Sequence, residues 1–150
     1  MVVASTGGTA LFVTTAVVAT IAPNTLDVPA LLVALAMFVG GTGTFVGAFV
    51  LAAGRSRTES VTLTGLFGLS GSAPAGVRTR LLGSLAVEVA TGLATAAVRP
   101  FTSLSFGILA PMWGLGMVGL WAARHGAFAS RPPDPRRLRR PGPPAGPRTG

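Results

Sequence analysis

The sequence of 150 residues contains no cysteine, one histidine and only four acidic residues. Without cysteine the chain forms no disulfide and has no thiolate to act as a nucleophile or a metal ligand. The remaining carboxyl and imidazole groups are too few for a catalytic centre, and neither a phosphate-binding loop nor an HExxH metal motif occurs. We therefore predict that the protein is not an enzyme and that it holds no metal ion and no cofactor.

Charged residues are scarce as well, at 11% of the chain against 49% hydrophobic residues. Soluble domains carry about 25% charged residues, so the composition is that of a membrane protein. The net charge of +8 comes from twelve arginines, and there is no lysine. Nucleic-acid-binding domains gather basic residues into a patch or stripe, whereas these arginines fall between long uncharged stretches. We predict a membrane protein that does not bind nucleic acid.

Four runs of the chain are apolar and long enough to cross a bilayer, whose core of about 30 Å needs about 20 residues of helix. Helix-breaking or charged residues separate them. They predict an all-α, integral membrane four-helix bundle over residues 1–126, with Pro111 kinking the fourth helix. The predicted spans are residues 2–22, 30–53, 81–98 and 102–123.

A cleaved signal peptide is the other interpretation of the first apolar run. Such peptides begin with positive charge, but the first arginine here is Arg55, and Pro23 directly follows the only plausible cleavage site. We therefore favour a membrane span. The alternative of a first helix lying in the membrane interface would leave three spans.

The arginines predict the orientation of the bundle. Positive residues that flank membrane helices stay in the cytoplasm. With four spans and the amino terminus inside, eleven of the twelve arginines are cytoplasmic and only Arg99 is outside. We predict that both termini are cytoplasmic.

The segment 61–77, between the second and third spans, is uncharged and rich in glycine and serine. Its apolar spacing fits a helix in part and a strand in part. With Pro74 breaking it and arginines on both flanks, we predict an interfacial segment. A re-entrant segment is the alternative, which would need protein or water around its backbone.

Residues 127–150 are predicted to be a disordered cytoplasmic tail, because the last twenty residues hold seven prolines and six arginines and too little apolar surface to fold. A cluster of arginines in this tail could bind anionic lipid headgroups, gaining about 1 kcal/mol per arginine. The alternative is that the charge only fixes the orientation. The cluster consists of Arg136, Arg137, Arg139 and Arg140.

A carboxyl group in the middle of the third span is the main candidate for a functional residue, since such a group is costly inside a membrane. Glu88 belongs to a polar stripe with Ser84, Thr91 and Thr95, which lie within about 60° of one another on a helix. We expect the stripe to face the bundle or a partner chain. Glu88 either binds a proton or cation, or only forms a hydrogen bond between helices.

Glycines in the second and fourth spans form a second pattern. Small residues let membrane helices approach closely, and the spacing predicts packing faces. The partner is another helix of the chain or a second copy of it. The predicted packing residues are Gly40, Gly43, Gly47, Gly107 and Gly114.

The carboxyl-terminal third contains VRPFTSL at residues 98–104, PMWGLG at 111–116, GLW at 119–121 and RHG at 124–126. With these motifs the chain resembles small uncharacterised polytopic membrane proteins of high-GC, actinobacterial-type bacteria. The resemblance implies a protein of the bacterial plasma membrane and no particular activity.

These observations lead to three hypotheses for the function. The first is a structural or accessory membrane protein that acts through helix packing, as a homo-oligomer or with a membrane-protein partner in the lipid bilayer. The second is an oligomeric proton- or cation-coupled transporter or channel centred on Glu88; the small multidrug-resistance exporters are similar in size, but their intramembrane glutamate lies in the first helix. The third is a regulator that binds anionic lipids through its tail.

Overall fold

The computed structural model describes residues 1–131, apart from the side chains of residues 23–25. Over this range the chain is all-α, as predicted. Its elements are α1 (Val2–Ile21), α2 (Pro23–Arg55), α3 (Leu63–Phe67), α4 (Ala75–Val98), a 3₁₀ helix (Ser103–Leu109) and α5 (Pro111–His125). The predicted tail lies outside the described residues from residue 132 onward.

Four helical segments within residues 1–131 are long and apolar enough to cross a membrane: Val2–Ile21, Leu26–Arg55, Ala75–Val98 and Ser103–His125. Many of their large apolar side chains point away from the bundle, among them Val28, Leu32, Val39, Val50 and Leu93. Apolar side chains on the outside are stable in lipid rather than in water. The chain is a multi-pass membrane protein with four helical segments that can cross the membrane. This finding confirms the predicted fold class.

Two helices begin earlier than the predicted spans. The second span was predicted from residue 30, but α2 begins at Pro23 and runs through Pro29, because a proline is well tolerated at the first helical position and Pro29 removes only one backbone bond. The third span was predicted from residue 81, but α4 begins at Ala75 after Pro74. Arginines near a helix end reach the membrane surface with their long side chains, so a charge there does not end the helix.

The fourth span is divided rather than simply kinked. The backbone from Ser103 to Leu109 is a 3₁₀ helix, and Pro111 is the first residue of α5. Proline has no N–H and its ring crowds the carbonyl four residues before it, which favours the start of a new helix at Pro111, where the missing N–H costs nothing. The predicted kink is therefore a change of helix type.

Glycines bring α5 against α2 in the centre of the bundle. Gly41 of α2 lies against the backbone of Met112 and Trp113, and Gly116 of α5 lies against Thr44 and Gly41. A side chain at either glycine would push the two backbones apart. The backbones of α2 and α5 therefore lie closer together than they could with larger residues at these positions.

One end of the bundle, here called the basic end, contains the amino terminus, the C-terminal ends of α2 and α5, α3, the start of α4 and residues 127–131. It carries six of the seven arginines within residues 1–131; the seventh, Arg99, lies at the opposite end. The guanidinium of Arg55 donates to the carbonyl oxygens of Ala123 (3.0 Å) and Gly126 (2.8 Å), and so caps the C-terminus of α5. It also pairs with Glu59 at 2.7 Å.

The segment 61–77 and the first residues of the predicted tail belong to this end. Leu66 and Leu69 are buried there, in the same cluster as residues of α2 and α5. Residues 127–131 run beside the segment between α2 and α4: the amide of Ala127 donates to the Ser72 carbonyl (3.0 Å), and the amide of Ser60 donates to the Ala129 carbonyl (2.8 Å). The tail was predicted to begin at residue 127, but residues 127–131 are held by backbone hydrogen bonds.

Candidate functional site

Glu88 lies completely inside the bundle, with 0% of its surface exposed. Its two carboxyl oxygens have partners on two other helices. The Thr9 hydroxyl of α1 donates to Oε1 at 2.6 Å, and the backbone N–H of Gly114 in α5 donates to Oε2 at 2.9 Å. The side chain of one residue on α4 thus joins three helices.

The start of α5 is well suited to accept this carboxyl group. Gly114 is the fourth residue of α5. The N-terminal end of a helix is the positive end of its dipole, which favours a carboxyl oxygen as hydrogen-bond acceptor there. Gly114 also provides the space, because a Cβ atom at this position would lie 2.6 Å from Oε2 of Glu88 and 3.1 Å from the Cα atom of Leu85. The predicted packing glycine is therefore part of the Glu88 site.

Three members of the predicted polar stripe face the interior. Ser84, Glu88 and Thr95 are buried, which is the orientation expected from their spacing. Thr91 is half-buried and lines a groove between α1 and α4. The hydroxyl of Thr95 donates to the carbonyl oxygens of Thr91 and Gly92 on its own helix, and so does not join the Glu88 site.

The α1 side of the site was not predicted from the sequence. Ser5 and Thr9 are buried on the face of α1 that also contains Phe12, Ala16 and Ala19. The Thr9 hydroxyl lies 2.9 Å from the Ser5 carbonyl as well as 2.6 Å from Glu88. The signal was available, since these five residues alternate at spacings of four and three, the pattern of a buried helix face.

Two buried polar atoms on the elements around the site have no hydrogen-bond partner among the described residues. They are the hydroxyl of Ser5 and the indole N–H of Trp113. The indole nitrogen lies against Gly8 of α1, and the other side of the ring lies against Gly40 of α2. Buried polar groups normally have partners, so these two atoms are exceptions within the described bundle.

The predicted packing glycines divide into two groups. Gly40, Gly107 and Gly114 contact other helices: a Cβ atom at Gly40 would lie 3.2 Å from the Trp113 ring, and one at Gly107 would lie 3.1 Å from the Thr95 hydroxyl. A Cβ atom added at Gly43 or Gly47 would meet no atom of the described chain within 4 Å. Their role in packing remains a prediction about a second chain.

The remaining site predictions concern metals and lipids. Within residues 1–131 no group of three histidine, cysteine or acidic residues is placed to hold a metal ion. The predicted headgroup ligands Arg136, Arg137, Arg139 and Arg140 lie outside the described residues.

The chain was also compared with known proteins. No protein-family model, curated protein or solved structure matches it.

Proposed function

We propose that the protein is a small accessory protein of the bacterial plasma membrane, which acts by packing its helices against another membrane protein or a second copy of itself. The observation that carries the proposal is that both carboxyl oxygens of Glu88 are paired inside the chain. Both of its oxygens accept hydrogen bonds within the chain and none of its surface is exposed. Its carboxyl group therefore serves to join α1, α4 and α5 rather than to meet a solute.

The distribution of arginines supports a cytoplasmic location for both termini. The basic end holds six arginines of the described chain, and the opposite end holds Arg99 alone. Because positive charge is retained on the cytoplasmic side, the basic end lies in the cytoplasm in this proposal.

An outer face of α2 is suited to a partner helix. Gly43 has no neighbour within the described chain, and Val39, Val46 and Val50 around it are 68%, 54% and 67% exposed. These four residues follow one another at spacings of four, three and four, so they share one face of the helix. A small residue flanked by branched apolar residues permits close approach of another membrane helix.

Extraction from membranes in a mild detergent tests this proposal. We expect a stoichiometric partner or a multimer to be recovered with the parent chain, and Gly43→Ile to lose it because the larger side chain fills the contact face. Gly7→Ile is the matched control, since Gly7 is an exposed helical glycine that also has no neighbour within 4 Å. A monomer of the parent without any partner would contradict the proposal.

A second candidate function, coupling to protons or cations, is favoured by the unpartnered Ser5 hydroxyl and Trp113 indole near the helices that hold Glu88. An ionisable residue inside a membrane protein, here Glu88, marks an ion pathway in many such proteins, and these two polar groups lie on helices that hold it. If this function is correct, the parent chain carries protons or cations across the membrane of proteoliposomes, and Glu88→Gln abolishes this flux. Equal flux in the parent, the variant and empty liposomes would rule it out.

A further inference from the structure

A groove between α1 and α4 opens on the outside of the bundle near the end that carries Arg99. It has a volume of about 430 Å³ and is lined by Val17 and Ile21 of α1, by Ala90, Ala94 and Val98 of α4, and by three threonines whose exposed surface in the groove is small. The alanines create the space, because their side chains are too short to fill the gap between the two helices. The walls are almost entirely apolar, so the groove is suited to a hydrocarbon chain.

The length of the groove fits one acyl chain within one leaflet. From Ala90 to Val98 the helix rises about 12 Å, close to the roughly 15 Å depth of one leaflet of a 30 Å hydrocarbon core.

A guanidinium group lies at the end of the groove. Arg99 directly follows Val98, and its Nη2 donates to the carbonyl oxygen of Thr20, a residue of the groove wall, at 3.3 Å. Within residues 1–131 the only ion pair joins Arg55 and Glu59; Asp27 near the start of α2, the one carboxylate at this end of the described chain, forms none with Arg99. A guanidinium has five N–H donors, which leaves further donors for an anion.

We propose that this groove binds one acyl chain of a phospholipid from the surrounding bilayer and that Arg99 binds the phosphate of the same molecule. The negative phosphate complements the single arginine at this end of the described chain, and guanidinium and phosphate form strong paired hydrogen bonds. The site is distinct from the arginine cluster of the tail, and it lies at the opposite end from the basic end.

Native mass spectrometry in a mild detergent tests the proposal, with dioleoylphosphatidylglycerol and dioleoylglycerol added at equal mole fraction. The parent chain is expected to retain one phosphatidylglycerol and to bind the phosphate-free dioleoylglycerol less. Arg99→Gln should reduce the bound phosphatidylglycerol about fivefold, as expected for one arginine at an anionic surface. Ala94→Phe should reduce the binding of both lipids, because the ring fills the groove.

Three controls keep the result specific. Arg99→Lys retains the charge and should retain most of the phospholipid. Arg124→Gln removes an exposed arginine at the basic end, and Ala53→Phe adds a ring at an exposed position of α2; both should bind as the parent does. Equal binding of the two lipids by the parent, unchanged binding by Arg99→Gln and Ala94→Phe, or a dimer that forms in place of the lipid complex would overturn the proposal.

Discussion

Replacing Gly41 with alanine is expected to lower the free energy of unfolding by about 3 kcal/mol, the upper part of the usual range for overpacking. A Cβ atom at this position overlaps the backbone of Met112 and Trp113. Backbone atoms cannot move away as the end of a flexible side chain can, so α2 and α5 must separate. Unfolding in mixed detergent micelles, followed by circular dichroism, measures the change.

Gly54→Ala is the matched control for this substitution. It makes the same chemical change later in α2, where a Cβ atom meets nothing within 4 Å. Alanine is a better helix former than glycine by about 1 kcal/mol, so the stability should stay the same or rise. Equal losses in the two variants would mean that α2 and α5 do not cross at Gly41.

Glu88→Ala is expected to cost about 2–4 kcal/mol, from two hydrogen bonds between membrane helices and the cavity left by the side chain. Glu88→Gln should cost less than about 1 kcal/mol, because its carbonyl oxygen accepts from the Gly114 N–H while its amide group donates to the Thr9 hydroxyl. The same unfolding measurement in micelles gives both values.

Glu59→Ala serves as the control for loss of a carboxyl group. Glu59 forms an ion pair with Arg55 in which both side chains are about 30% exposed, and such pairs contribute about 0–1 kcal/mol. A loss for Glu88→Ala no larger than that for Glu59→Ala would show that the Glu88 hydrogen bonds do not hold the bundle together.

The sequence predicted four long apolar helices and the inward direction of Glu88 because both follow from local patterns. A run of about 20 apolar residues already determines a span. The positions of Ser84, Glu88 and Thr95 on one face of α4 follow from the helical repeat alone. Their burial needed no knowledge of the other helices.

The partners of Glu88 could not be predicted in the same way. Thr9 is 79 residues away from Glu88 in the chain. The other donor is the backbone amide of Gly114, and because nearly every residue has such an amide, the residue type does not reveal this partner. The glycine of closest contact in α2, Gly41, was not among the predicted packing residues. Gly41 and Gly43 differ by two residues and hence by about 200° around α2. Which of them faces α5 depends on the rotation of the whole helix.

Helix boundaries and the pairing of residues 127–131 were similarly set by contacts. Arg78 and Arg80 suggested that the third span begins after them, yet α4 begins at Ala75. Residues 127–131 looked like part of a tail, but they form backbone hydrogen bonds with residues 58–72. Composition does not reveal such pairing.

Four membrane spans with the basic end in the cytoplasm are the central claim, and the absence of cysteine from the chain permits a direct test. Single variants Ser60→Cys at the basic end and Phe101→Cys at the opposite end, where Phe101 is 99% exposed, can be labelled with a membrane-impermeant maleimide. In intact cells Phe101→Cys should react and Ser60→Cys should react only after permeabilisation. Labelling of Ser60→Cys in intact cells, or of neither variant until permeabilisation, would contradict the claim.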